Sequence, residues 1–245
     1  MEKLKSIFFA IDGFFLSFFN PINQINSGII FLLFHSVFKN KKELNSNHID
    51  PVWGFTLDEY KYIFEKFLDN GYEFISHNKL LDINNLDDQK KYIYLHFDDG
   101  YYNNYNILEL LTEYKIPAHF YVVTNNIKNN KKFWWDLLYN NFSLSNNKNL
   151  FEKEVLYLQS KNYKFIENYI YMKYGKKALS PISDIDRPFT ENELRLFNEN
   201  KYVSIGNHTL NHSYLNYLSY DEAKDQIIKA ETDLINMLGK SAKTL

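Results

Sequence analysis

Short apolar runs alternate with helical-period segments along this chain. Runs near residues 29–34, 72–76, 92–97, 118–123 and 202–205 have the length of buried strands. Between them, Leu57, Tyr60, Ile63, Phe64, Phe67 and Leu68 form an apolar stripe at helical spacing. The capping box Thr56-Leu-Asp-Glu59 opens that helix and Gly71 stops it. A further helix is predicted from about Asn104 to Tyr114. Two more capping boxes, Thr190-Glu-Asn-Glu193 and Ser219-Tyr-Asp-Glu222, start the last two helices, and Gly239 ends the final one. Strands alternating with helices predict an α/β fold with a mostly parallel sheet, and the length suits a barrel. From Asn125 to about Arg187 the pattern gives way to a Lys- and Asn-rich stretch with helical patches at Phe133–Tyr139 and Leu150–Gln159. That stretch, 125–187, is expected to be a lid or elaboration, not a second domain.

The first residues stand apart. Lysines precede an apolar run over 7–19, yet Asp12 and Gly13 split it and no small-x-small cleavage site follows. The run is too short to span a bilayer. Residues 1–27 are therefore expected to be an apolar helix and linker packed on a domain of residues 28–245. Peripheral membrane contact through residues 7–19 is the alternative. With no secretion signal, the expected location is cytoplasmic.

Composition narrows the classes. At 245 residues the chain can bury the core of one large domain. Apolar residues make up 45% and aromatics 18%, which excludes general disorder. A net charge of −2 leaves no basic excess for nucleic acid. Cysteine is absent, so any metal must be held by histidine and carboxylate.

The candidate chemistry lies at predicted strand ends. The run Leu95-His96-Phe97-Asp98-Asp99-Gly100 closes one strand, and His208-Thr-Leu-Asn-His212 follows another. Alone, an Asp-Asp-Gly is most often a solvated turn, and a His-x-x-x-His merely puts two imidazoles on one helix face. Together they offer one carboxylate and two imidazoles to a divalent ion, leaving a position for water and a second carboxylate free as a base. His35 ends the first strand, and barrel chemistry sits at such carboxyl ends. Asn207 is read as a turn former, and His48 and His77 as loop residues without a role. Tyr101, Tyr102, Trp53, Trp134 and Trp135 are candidates for stacking on sugar rings.

Longer motifs carry a resemblance. Tyr94-Leu-His-Phe-Asp-Asp-Gly-Tyr-Tyr-Asn-Asn-Tyr105, Lys115-Ile-Pro-Ala-His-Phe-Tyr-Val-Val-Thr124 and Ile205-Gly-Asn-His-Thr-Leu-Asn-His212 resemble the polysaccharide deacetylases, the NodB-homology or carbohydrate esterase 4 family. Ile30-Phe-Leu-Leu-Phe-His-Ser-Val37 is similar to the strand ending in Tyr-His that opens a permuted branch of that family. The resemblance spans roughly residues 28–245. It implies a distorted (β/α) barrel of fewer than eight strands, with Asp99, His208 and His212 as metal ligands. It also implies Asp98 as the base and His35 as the general acid. The expected metal is zinc, with cobalt, nickel and manganese as alternatives, because such a donor set accepts them all. The expected reaction is hydrolysis of the N-acetyl amide of an amino sugar in a surface polysaccharide or glycoconjugate. His96 and His119 stand where the family usually has threonine and are expected beside the site, not in it. Past Leu245 the family continues into a strand with an aromatic-Pro motif, so the barrel is expected to be incomplete, truncated at its C-terminal side. A non-catalytic remnant that only binds metal or glycan is the alternative function.

Overall fold

The structure is a computed structural model that describes residues 26–52, 54–143, 148–242 and 244–245. Most of the expected N-terminal helix, residues 1–25, and Trp53 lie outside these residues. In chain order the strands are β1 (Gly28–Phe34), β2 (Ser36–Phe38), β3 (Gly54–Thr56), β4 (Tyr72–Phe74), β5 (Lys91–Phe97), β6 (Ala118–Val122) and β7 (Val203–Asn207). The helices are α1 (Lys41–Leu44), α2 (Leu57–Asp69), α3 (His77–Leu81), α4 (Leu108–Tyr114), α5 (Thr124–Asn129), α6 (Trp134–Ser143), α7 (Lys148–Gln159), α8 (Tyr163–Tyr174), α9 (Glu191–Asn198) and α10 (Tyr220–Leu238). Among the described residues no helix is long and apolar enough to cross a membrane.

Every strand pairing is parallel, as strand–helix alternation requires. The sheet order is β1-β5-β6-β7, with β4 also on β5. Strand β1 covers one edge of β5 from Lys91 to Phe97. The other edge is shared: β4 pairs residues 91–93 and β6 pairs residues 95–97. The split falls at Tyr94. A separate two-stranded piece, β2 with β3, is not among the expected strands: Ser36–Phe38 follows directly on the β1 run and Gly54–Thr56 runs straight into the capping box.

The two faces of the sheet differ in chemistry. On the helix side, Phe34, Leu95, Phe97, Phe120 and Ile205 pack against Phe64 and Phe67 of α2, Leu111 of α4, Phe197 of α9 and Leu234 of α10. Phe97 and Phe120 stack with centroids 4.8 Å apart. The opposite face carries Tyr94, His96, His119, Tyr121 and Ser204, since alternate strand residues point the same way. Gly206 belongs there too. A Cβ on it would lie 2.4 Å from His119 Nε2 and 2.6 Å from Tyr121 Cδ1, so only glycine admits those two rings.

All three predicted capping boxes form, at Thr56, Thr190 and Ser219, and Gly239 closes α10 at φ 71°. Two boundaries differ from expectation. Ser76 does not end a strand; its side chain caps α3 by accepting from Lys79 N. The helix expected from Asn104 starts as a 3₁₀ turn, Tyr102–Ile107, before α4. The cause is that Asn103 and Asn104 are buried and spend their side chains on distant backbone.

Helices α6, α7 and α8 share a cluster of their own around Trp134, Leu138, Leu158 and Ile170. The stretch is anchored at both ends. Lys132 and Asp186 form a buried ion pair at 3.6 Å, and Asp186 also accepts from the amides of Ile182 and Ser183.

Candidate active site

Four loops at the carboxyl ends of the parallel strands build the site. The Asp98 amide donates to Phe34 O, carrying the β1–β5 ladder one step further. Val123 N donates to Asp99 O, and His208 N to Val122 O, so three adjacent strand ends are tied to one another. Asp99 sits at φ 77° and Gly100 at φ 83°, which turns the chain sharply after β5. A side chain at 100 would also meet Val122 at 2.9 Å.

The segment 208–212 is not helical. Thr209 and His212 have φ of 67° and 55°, conformations unusual for such residues and concentrated at functional sites. The His-x-x-x-His spacing therefore works through a strained turn instead of a helix face. Asn207 is more than a turn former. It is buried, its side-chain oxygen accepts from Thr209 N, and its amide donates to Ile227 O, which pins the turn to α10.

That turn brings Asp99, His208 and His212 together, with one donor atom from each within 4.8 Å of the others. His212 Nε2 lies 3.2 Å from Asp99 Oδ1, and His208 Nε2 lies 3.7 Å from the same oxygen. Ligands about 2.1 Å from a tetrahedral ion stand about 3.4 Å apart, so this spacing fits a divalent metal. Asp99 Oδ1 is buried without a well-formed hydrogen bond among the described residues, the condition in which a carboxylate awaits a cation. A possible Asp-His-His metal site is therefore present. Asp98 Oδ2 stands 3.9 Å from His208 Nε2.

Electrostatics separate the two carboxylates. Burial would raise the Asp99 carboxyl, but the His212 imidazole beside it, with His35 and His208, overrides burial and holds it at about 2. Burial raises Asp98, the neighbouring Asp99 charge adds to that, and the carboxyl is pushed up to about 7. His208 is lowered to about 3, first by burial and then by His212. A neutral imidazole is the form that binds metal. His35 is lowered by burial, against the pull of Asp99. Its carbonyl accepts from Asn104 Nδ2 at 2.6 Å, a positioning bond that no local sequence signal announces.

The aromatic candidates divide. Tyr101 is nearly buried at the cavity wall; its hydroxyl donates to Asp136 Oδ2 at 2.7 Å and accepts from Trp135 Nε1 at 3.1 Å, so it orients Trp135. Tyr102 is covered by the Arg187 guanidinium at 3.5 Å. Trp134 and Trp135 line a cavity beside Asp99 and His212, and the Trp135 ring lies 4.8 Å from that of His212. Asp50, Asp136, Gln159 and Tyr214 also line it; the first three lie far along the chain from the Asp-Asp and His-x-x-x-His motifs, which hid them. His48 bonds Ser183 Oγ at 2.7 Å. His77 begins α3 and stacks on His119 at 4.3 Å, so it is no loop residue. His96 and His119 lie on the sheet face below the site.

Solved structures share this architecture. The Streptococcus pyogenes deacetylase PplD, solved in complex with acetate, superposes over 87% of this chain and 70% of its own, with a TM-score of 0.53 at 18% identity. The de-N-acetylase from Aggregatibacter actinomycetemcomitans does so over 87% and 76%, with a TM-score of 0.56 at 19% identity. A polysaccharide deacetylase from Bacillus cereus matches with a TM-score of 0.52 at 15% identity, and the chain spans only 48% of its length. At these identities the likeness is one of fold. No curated protein sequence matches. Sequence supplies the assignment that fold alone does not: the polysaccharide deacetylase family model matches residues 85–245, from before β5 through the turn bearing His208 and His212, and the chain belongs to that family.

Proposed function

We propose that this protein is a metal-dependent deacetylase that hydrolyses the N-acetyl amide of an amino sugar in a polysaccharide or glycoconjugate. The observation that carries the reading is the convergence of Asp99, His208 and His212 within 4.8 Å, with Asp98 beside them. These three side chains would hold the ion, zinc being the metal that such a donor set suits best. When bound, a divalent ion supplies Lewis acidity toward the amide carbonyl and makes water more acidic.

The chain's own groups do the rest. Asp98, held near neutrality by burial and Asp99, accepts the proton of the attacking water. His35 gives a proton to the departing nitrogen as the C–N bond breaks, yielding acetate and a free amine. Burial favours its neutral form and the Asp99 charge opposes burial; to act as the acid His35 takes up a proton from solvent before the C–N bond breaks. Asn104 fixes the backbone of His35 and Asn207 fixes the turn of His208.

Metal analysis of purified protein, paired with acetate release from N-acetylated glycans, tests the proposal. About one divalent ion per chain and metal-dependent acetate release are expected. Metal binding with no acetate from any glycan would leave the non-catalytic remnant instead.

A further inference from the structure

The cavity beside the metal-competent cluster has a volume of about 260 Å³. Pockets that engulf a drug-sized ligand start at about 300 Å³, so this one is sized for a single sugar ring. Its walls are not formed by the strand ends alone. Trp134, Trp135 and Asp136 come from α6, and Phe151, Val155 and Gln159 from α7.

Hydrogen bonds hold these walls in place. The Asp50 amide donates to Asp136 Oδ1 at 3.2 Å, and Asn140 Nδ2 donates to Asn47 O at 2.9 Å, locking α6 to the loop before β3. On the other side, Gln159 Nε2 donates to Tyr214 OH at 2.7 Å. That bond joins the last residue of α7 to the loop just past His212, so α7 is fastened across the cavity's edge. Trp135 is fixed in orientation by its bond to Tyr101 and by stacking on Phe133 at 4.6 Å. A rigid aromatic face next to His212 suits the apolar face of a pyranose.

Charge restricts the occupant further. Among the described residues lining the cavity, Asp50, Asp99 and Asp136 are acidic and none is lysine or arginine. Beyond the ion that Asp99 and His212 would hold, a phosphate, a pyrophosphate or a uronic acid would find no fixed counter-charge on these walls.

We infer that this cavity admits one neutral N-acetylated hexosamine unit at a chain end or as a short glycan, and that the α6–α7 wall excludes the interior of a polymer. The inference rests on the deacetylase reading and specifies its substrate. An interior unit needs a groove open at both ends, whereas here α7, strapped to Tyr214, walls one edge of the cavity.

Neutral N-acetylglucosamine oligomers from dimer to hexamer test this, with the position of each new amine mapped by tandem mass spectrometry on the metal-loaded protein. Amines confined to a terminal unit are expected, with UDP-N-acetylglucosamine turned over poorly. The Gln159→Leu variant frees the strap and Phe151→Ala thins the wall. Each should lower the terminal-to-interior ratio by about tenfold, the scale of one pocket contact. Melting curves confirm that both variants fold. Interior units deacetylated as readily as ends, or a ratio unmoved in both variants, would overturn this inference alone. Acetate released from none of the oligomers would overturn the deacetylase reading along with it.

Discussion

Two groups of histidines occupy this molecule, and they do opposite things with the same side chain. His35, His208 and His212 stand at the strand ends around a pair of carboxylates. His77, His96 and His119 lie on the sheet face below, among tyrosines and serine. His119 Nδ1 pairs with Ser204 Oγ at 2.7 Å and its Nε2 with Thr244 Oγ1 at 3.1 Å. His77 Nδ1 meets Tyr94 OH at 2.8 Å. Burial holds His119 at about 3 and His96 at about 4, so this lower group stays neutral. Among the described residues no carboxylate bonds to its rings. Without a carboxylate, converging imidazoles form hydrogen bonds and stacks; with Asp99 among them they become a candidate cation site. The lower group also has a structural task. Strands β4 and β6 part at Tyr94, and the His77–His119 stack spans that parting.

The contrast breaks most sharply at Asp99. Replacing it with alanine should empty the cation site and abolish acetate release, while His119→Gln keeps one ion per chain; elemental analysis reads both. Metal retained in Asp99→Ala would erase the distinction between the two groups. Next comes Asp98→Asn, which should keep the metal yet slow turnover by about 10²–10⁴-fold. The base works deprotonated, so activity should rise with pH through about 7, and that rising limb should vanish in the variant.

The third test concerns acid stability. His96 and His119 titrate lower folded than their ordinary value of 6.5, so the unfolded chain takes up protons first. Their contribution is full above pH 6.5 and is lost as pH falls toward about 4 for His96 and about 3 for His119. Denaturation at stepped pH should show the slope, and His119→Gln should flatten it by at most about 1.4 kcal/mol per pH unit. The smallest effect is expected for His77→Ala. Losing the stack and the tyrosine bond should lower stability by about 0.5–1.5 kcal/mol with metal content unchanged.

Much of this was legible in advance for physical reasons that differ by element. Strands β1 and β5 are long enough for their apolar runs to stand out, and Thr56, Thr190 and Ser219 announce helices by contacts only three residues long. That a carboxylate of the Asp98–Asp99 pair meets His208 and His212 followed from placing them at strand ends, since parallel strands bring those ends to one face; the choice of Asp99 came from the family resemblance. Features built across long separations were not legible. Asn104 reaching the His35 carbonyl, Asp136 meeting Tyr101, and Gln159 meeting Tyr214 each join residues 35 or more positions apart. The positive-φ turn at 208–212 escaped too, because its conformation is imposed by Asn207 and α10, not by local preference.

The shared edge of β5 has a consequence for how the molecule opens. Strand β1 covers one flank of β5 along its whole length, while β4 and β6 divide the other. Its amides are thus shielded by neighbours drawn from three distant parts of the chain. No local fraying can expose them all; β1, β4 and β6 must leave together. In deuterated solvent the interior of β5, Ile93 to Phe97, should be the last stretch to exchange, at the rate of global unfolding. The carboxylates that follow it are therefore mounted on the part of the protein that moves least.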